Sequence, residues 1–115
     1  MPSAIRIVSI KSGMPTVEEA RARLKVELDR ARSEGSLVLK LIHGYGSSGV
    51  GGTLRRGVRA SLRKRLKEGQ IRAFVPGEQW DIFNEAARRI LEECPELASD
   101  QDLNHYNEGI TLVLL

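Results

Sequence analysis

The sequence predicts an α/β fold: a two-layer sandwich in the order β-α-β-α-β-(α)-β, with a mixed four-stranded sheet. Three observations carry that expectation. Leu37-Val38-Leu39-Lys40-Leu41-Ile42 is a near-continuous apolar run, the pattern of a strand covered on both faces and therefore central in its sheet. On either side of it, apolar residues recur at three- and four-residue spacing, which gives one buried stripe per helix. Gly35 and Gly69 end those helical stretches and further β-branched runs lie beyond them, so strands and helices alternate along the chain.

The elements follow in order. Ile5-Arg6-Ile7-Val8-Ser9-Ile10 is β-branched and partly alternating, a first strand that ends in the turn Ser12-Gly13-Met14-Pro15. Thr16 and Glu19 have capping-box spacing, and Val17, Ala20, Leu24, Leu28 and Ala31 form the stripe of the first helix. The apolar run 37–42 is followed by His43-Gly44-Tyr45-Gly46-Ser47-Ser48-Gly49-Val50-Gly51-Gly52, five glycines in ten residues. A second helix is expected over Thr53 to Glu68, burying Leu54, Val58, Leu62 and Leu66, and a third strand over Ile71 to Val75. After the Pro76-Gly77 turn, Trp80, Phe83, Ala87, Ile90, Leu91 and Cys94 share a helical face, predicting a helix from Trp80 to Cys94 with both aromatics in the core. An acidic, irregular stretch leads to a last strand at Ile110 to Leu115.

At 115 residues the chain fits one domain, long enough to fold without disulfide or structural metal. Cys94 alone makes neither an internal bridge nor a Cys-rich zinc site, which suits a reducing compartment. No apolar run approaches the ~20 residues that cross a bilayer, so neither a membrane nor a secreted location is expected, and the expected location is cytoplasmic. The net charge of +3 conceals an asymmetry. Residues 36–76 hold nine Lys or Arg against the single acid Glu68, whereas residues 77–115 hold nine acids against Arg88 and Arg89. A basic block of that kind draws polyanions.

A strand that delivers a glycine-rich loop into a helix start is a device for binding anions, because backbone N–H groups converge there and the helix dipole adds positive charge. Here the helix opens with Arg55, Arg56 and Arg59, followed by Arg63. Gly44-x-Gly46-x-x-Gly49 has the letters of a dinucleotide fingerprint, but the acid expected about 20 residues on falls inside the helix, at Glu68. A P-loop spacing from Gly46 to Gly51 places Gly52 where the lysine belongs. The like-charge pairs Arg55–Arg59 and Arg59–Arg63 cost a few tenths of a kcal/mol each unless a counter-charge is supplied. Tyr45, flanked by glycines, is a candidate for stacking on a base. His43 sits where α/β sheets place ligands, and serves either as a functional group or as a structural anchor for the loop. His43 and His105 do not form a metal-ligand pattern.

Leu41-Ile42-His43-Gly44-Tyr45-Gly46, followed by Leu54-Arg55 and Val58-Arg59, resembles the His-Gly-x-Gly segment of the small MutS-related (Smr) domain family. Thr16 to Ala20 is similar to that family's first-helix entry, and Asn107 to Val113 to its closing Gly-x-Thr strand. The likeness covers about residues 5–75 and 105–115. It implies the sandwich shared with the C-terminal domain of translation initiation factor three, DNA or RNA binding, and in some members metal-assisted nicking or endonuclease activity. Three departures stand out: a longer loop at Ser47 to Gly52, a helical insertion at about 78–104, and the loss of the first-strand Leu-Asp-Leu-His motif. Val8-Ser9-Ile10-Lys11-Ser12-Gly13 stands in its place, and no Asp, Glu or His occurs from Met1 to Val17.

Together these readings give one Smr-like domain over 1–115 that grips nucleic-acid phosphates. The contacting residues expected are His43, Gly44, Tyr45, Gly46, Ser47, Ser48, Gly49, Gly51, Gly52, Arg55, Arg56, Arg59 and Arg63. The alternatives are a hydrolase of RNA or DNA using His43, with Glu78 as a possible second group, and a small nucleotide-binding domain. No cofactor is expected, with a divalent metal only in the hydrolase case. The acidic 78–108 segment is a candidate surface for a protein partner.

Overall fold

Residues 4–44 and 50–115 are described by a computed structural model of the chain. Tyr45, Gly46, Ser47, Ser48 and Gly49, to which the sequence assigned phosphate or base contacts, lie outside the described residues. The element order is β1 (Ile5–Ser9), α1 (Val17–Ser33), β2 (Val38–Ile42), α2 (Val50–Lys67), β3 (Ala73–Pro76), α3 (Glu85–Glu93) and β4 (Ile110–Leu114), with short 3-10 turns at Gly77–Gln79 and Pro95–Ser99.

The strands form one mixed sheet in the order β1-β2-β4-β3. β1 runs parallel to β2, while β4 is antiparallel to both β2 and β3. The central position expected for the apolar run 37–42 is therefore observed, and β4 shares it. Alternate residues of these strands enter two cores. Leu39, Leu41 and Val113 pack with Leu24 and Leu28 of α1 and with Val58 and Leu62 of α2. Val38, Leu112 and Leu114 pack with Ala87 and Ile90 of α3, Trp80 and Leu97. The two-layer sandwich read from the sequence thus gains cover on its second face from residues 77–99, so both sides of β2 and β4 are dry.

Local signals explain most boundaries. Thr16 accepts from the Glu19 amide while the Glu19 carboxylate accepts from the Thr16 amide, closing the predicted capping box at 3.1 Å each way. Gly35, at φ +78°, takes the left-handed conformation that ends α1. Two elements differ from expectation. α2 begins at Val50 and so contains Gly51 and Gly52; the packed stripe of Leu54, Val58 and Leu62 outweighs the helix penalty of about 1 kcal/mol per glycine. The third helix is shorter than the predicted 80–94. Asp81 Oδ1 accepts from the amides of Phe83 and Asn84, and Asn84 Oδ1 caps the helix by accepting from Ala87 N at 3.0 Å. Those local bonds hold 81–84 as a turn. Trp80 is buried as expected, but Phe83 is 86% exposed and belongs to no core.

Gly77 marks the tightest approach of two segments. A Cβ placed there would lie 1.9 Å from the Asn107 carbonyl oxygen and 2.5 Å from Ile110 Cγ1. Backbone cannot yield as a side-chain end can. Gly77→Ala is accordingly expected to lower unfolding free energy by about 1–3 kcal/mol, visible as a lower urea midpoint; an unchanged midpoint would contradict this packing.

Candidate nucleic-acid interface

The register brings one end of every strand together. Ser9 pairs with Ile42, Ile42 with Ile110, and Pro76 with Thr111. The segments that follow β1, β2 and β3, and the one that precedes β4, therefore meet at a single end of the sheet. Gly44, the last described residue before the rest of the glycine loop, lies there with φ +86°, a conformation that favours glycine. A Cβ on it would touch Lys11 Cδ at 3.4 Å, so Lys11 of the β1–α1 turn lies alongside.

Beneath this surface runs a hydrogen-bonded chain centred on Thr111. Arg59 Nε donates to Thr111 Oγ1 at 3.2 Å, and Thr111 Oγ1 lies 2.8 Å from His43 Nε2. His43 Nδ1 lies 3.1 Å from the Gly44 carbonyl oxygen. A carbonyl only accepts, so Nδ1 carries the ring proton and Nε2 accepts from the Thr111 hydroxyl. Both ring nitrogens are thus engaged, and the side chain is fully buried. Burial is the main reason that the His43 pKa falls from 6.5 to about 4; the Gly44 bond opposes the fall, and the charges of Arg59 and Arg55 add to it. The imidazole is neutral at physiological pH. The His43 and Gly44 amides both donate to the Gly109 carbonyl, at 3.0 and 3.1 Å, which ties the start of the loop to β4.

The arginines that open α2 divide into two sets. Arg59 is buried, with a two-pronged pair to Glu78 at 2.8 and 2.7 Å and further donation to the Ile110 carbonyl at 3.2 Å. Arg55 pairs with Glu108 at 3.0 Å. Burial raises the Glu78 pKa, but hydrogen bonds and charge from Arg59, with Arg55, more than offset this and leave it lowered. The counter-charges that the sequence asked of a polyanion at Arg55 and Arg59 come instead from the chain's own Glu78 and Glu108. Glu78 meets Arg59 and not His43. The same matching recurs across the molecule, where Lys40 pairs with Asp100 and Asp102, and Arg72 with Glu93. Much of the acidic 78–108 segment is therefore turned to the chain's own basic block.

Arg56, Arg63, Lys64 and Lys67 are exposed and make no ion pair among the described residues. Seven and eleven residues separate Arg63 and Lys67 from Arg56, which puts all three on one face of α2. That face starts near this end of the sheet with Arg56 and runs along α2, away from the Gly44 turn and Lys11, to Lys67 at the helix's far end. The family profile of the Smr domain matches residues 12–82, more than half of the sequence. The chain belongs to the Smr family. A solved structure, the Smr domain of Thermus thermophilus MutS2, aligns over 96% of each chain with a TM-score of 0.59 and 23% identity, which establishes the shared fold. No curated protein matches the sequence. The Smr family is known for nucleic-acid binding and nicking.

Within this Smr domain the structure brings together His43, Gly44, Arg55, Arg59 and Glu78, while Arg56, between the two gathered arginines, and Arg63, one turn beyond them, face solvent. Thr111 was missed as the organising residue, although its hydroxyl is the one polar side chain in the apolar run Ile110 to Leu115. Lys40 likewise hides a partner set that only the fold reveals. Among the described residues, no three His, Cys, Asp or Glu side chains gather as a metal-holding group, and no helix is long and apolar enough to cross a membrane.

Proposed function

We propose that this Smr domain binds nucleic acid through its phosphates, along the Arg56–Arg63–Lys67 face of α2 and at the glycine turn that begins with Gly44. The observation that carries the reading is the set of exposed cations on one helix face that has no internal acid. Every neighbouring arginine with an acid in reach is spent inside the chain, and these are not. The start of α2, at the Arg56 end of that face, adds backbone N–H groups and a positive dipole end. His43, Thr111 and Arg59 then act as a support that fixes the loop, with no ring lone pair free to take a proton from a substrate. That arrangement favours binding over a hydrolase that uses His43 as its base.

The test is affinity for labelled RNA and DNA across a salt series. Each phosphate contact should contribute about 0.7–0.9 to the log–log salt slope. Combined replacement of Arg56, Arg63 and Lys67 by Ala should reduce that slope by about 2–3, with an unchanged melting temperature because all three side chains are exposed. Binding that ignores salt, or a triple variant with the parental slope, would reject this face.

A further inference from the structure

Tyr106 holds an unusual position at the same sheet end. Its backbone lies at φ +54°, a region that tyrosine rarely occupies, and the residue is 70% exposed. The segments beside it are fixed. The Asn104 amide donates to the Trp80 carbonyl at 2.8 Å. Asn107 donates from its side chain to Asp102 at 2.8 Å, accepts there from the Gly109 amide at 2.9 Å, and rests its carbonyl on Gly77. Gly109, three residues on, is the anchor for the His43 and Gly44 amides. The chain thus keeps an aromatic ring in solvent at the cost of a disfavoured backbone, three residues before the Gly109 anchor of the glycine turn, and no hydrogen bond engages its hydroxyl among the described residues. Strain of this sort, over-determined by its surroundings, belongs with a function for the side chain.

We propose that Tyr106 is a stacking platform for an unpaired nucleobase of a strand whose phosphates lie against the Gly44 turn and α2. The proposal rests on the phosphate-binding reading above. Nearby acids do not oppose it, since Asp102 is held by Lys40 and Asn107, and Glu108 by Arg55. An aromatic face accepts any base, so the site selects unpaired over paired strands without choosing sequence.

The experiment compares three labelled probes of equal length: oligothymidylate, oligouridylate and an abasic deoxyribose-phosphate oligomer. The parental domain is expected to prefer at least one base-bearing probe over the abasic one by about fivefold or more. The arm with the larger preference identifies the sugar. Tyr106→Ala should erase the preference while still binding the abasic strand with parental affinity, and Tyr106→Phe should restore it. A Tyr106→Ala protein that keeps the preference, or a parental protein that binds base-bearing and abasic probes equally, overturns the stacking role and leaves the phosphate reading standing. Failure to bind any of the three probes overturns both.

Discussion

Lys40→Met is expected to lower unfolding free energy by about 3–5 kcal/mol. Lys40 lies in the middle of β2 with its ammonium 2.8 Å from Asp100 and 2.6 Å from Asp102, and the three side chains are 4%, 9% and 16% exposed. Removing the cation leaves two carboxylates confined together with no counter-charge. Asp100 also accepts from the Trp80 indole at 3.1 Å, so the disturbance reaches the core beneath α3. Burial lowers the Lys40 pKa, but both aspartates outweigh it and leave it raised; for Asp102, burial raises and Lys40 and Asn107 outweigh it, leaving it lowered. The stability from Asp102 is present above its unfolded value of 3.8 and is lost as pH falls through the lower folded value. The Lys40 contribution is complete below 10.5 and is lost as pH rises beyond its higher folded value. Denaturant titration measures the change. A loss under about 1 kcal/mol would mean that the triad is solvated in solution, since exposed pairs contribute no more.

His43 should make the fold acid-sensitive well before its carboxylates protonate. Its pKa of 6.5 falls to about 4 in the folded state, so below 6.5 the unfolded chain binds a proton that the folded chain refuses. Stability therefore declines as pH drops through this window, by about 2 kcal/mol between about pH 7 and pH 5. The neutral variant His43→Gln should be less stable near pH 7, because it disturbs the bonds to Thr111 and Gly44, yet flatter in its pH profile. Parallel profiles for the two proteins would show that His43 is open to protonation when folded.

Patterns with local causes were legible from the residues alone. The capping box at Thr16, the left-handed Gly35 and the doubly covered apolar strand each follow from short-range chemistry, and the structure contains all three, the strand as Val38–Ile42 with Leu37 left exposed. Spacing misled where a turn competed with a helix: Trp80 and Phe83 match a helical stripe, but the Asp81 and Asn84 side chains capture the backbone first. The cluster at the sheet end was only half visible. His43, Arg59 and Glu78 stood out as chemical groups, but their mutual bonds depend on β4 passing between β2 and β3. Sequence separations of 52 between Arg59 and Thr111 and of 68 between His43 and Thr111 leave no local trace. The charge blocks illustrate the same limit, since opposite signs in two segments do not reveal whether they attract an outside ligand or each other.

The place of β4 also dictates the order in which the sheet can be completed. Among the described residues, β3 has β4 as its only sheet neighbour, and β2 meets β3 through it. Until residues 110–114 are available, a growing chain can pair β1 with β2 and pack α1 and α2 on them, while β3 has nothing to bond to. Closure then requires β4 to enter between strands already made, bringing Thr111 under His43 and Arg59 in the same event. Such long-range pairing carries the loop-closure entropy that slows folding. The support beneath the glycine turn therefore forms only once β4 has joined the sheet; until then Arg59 has Glu78 as a partner but neither the Thr111 hydroxyl nor the Ile110 carbonyl.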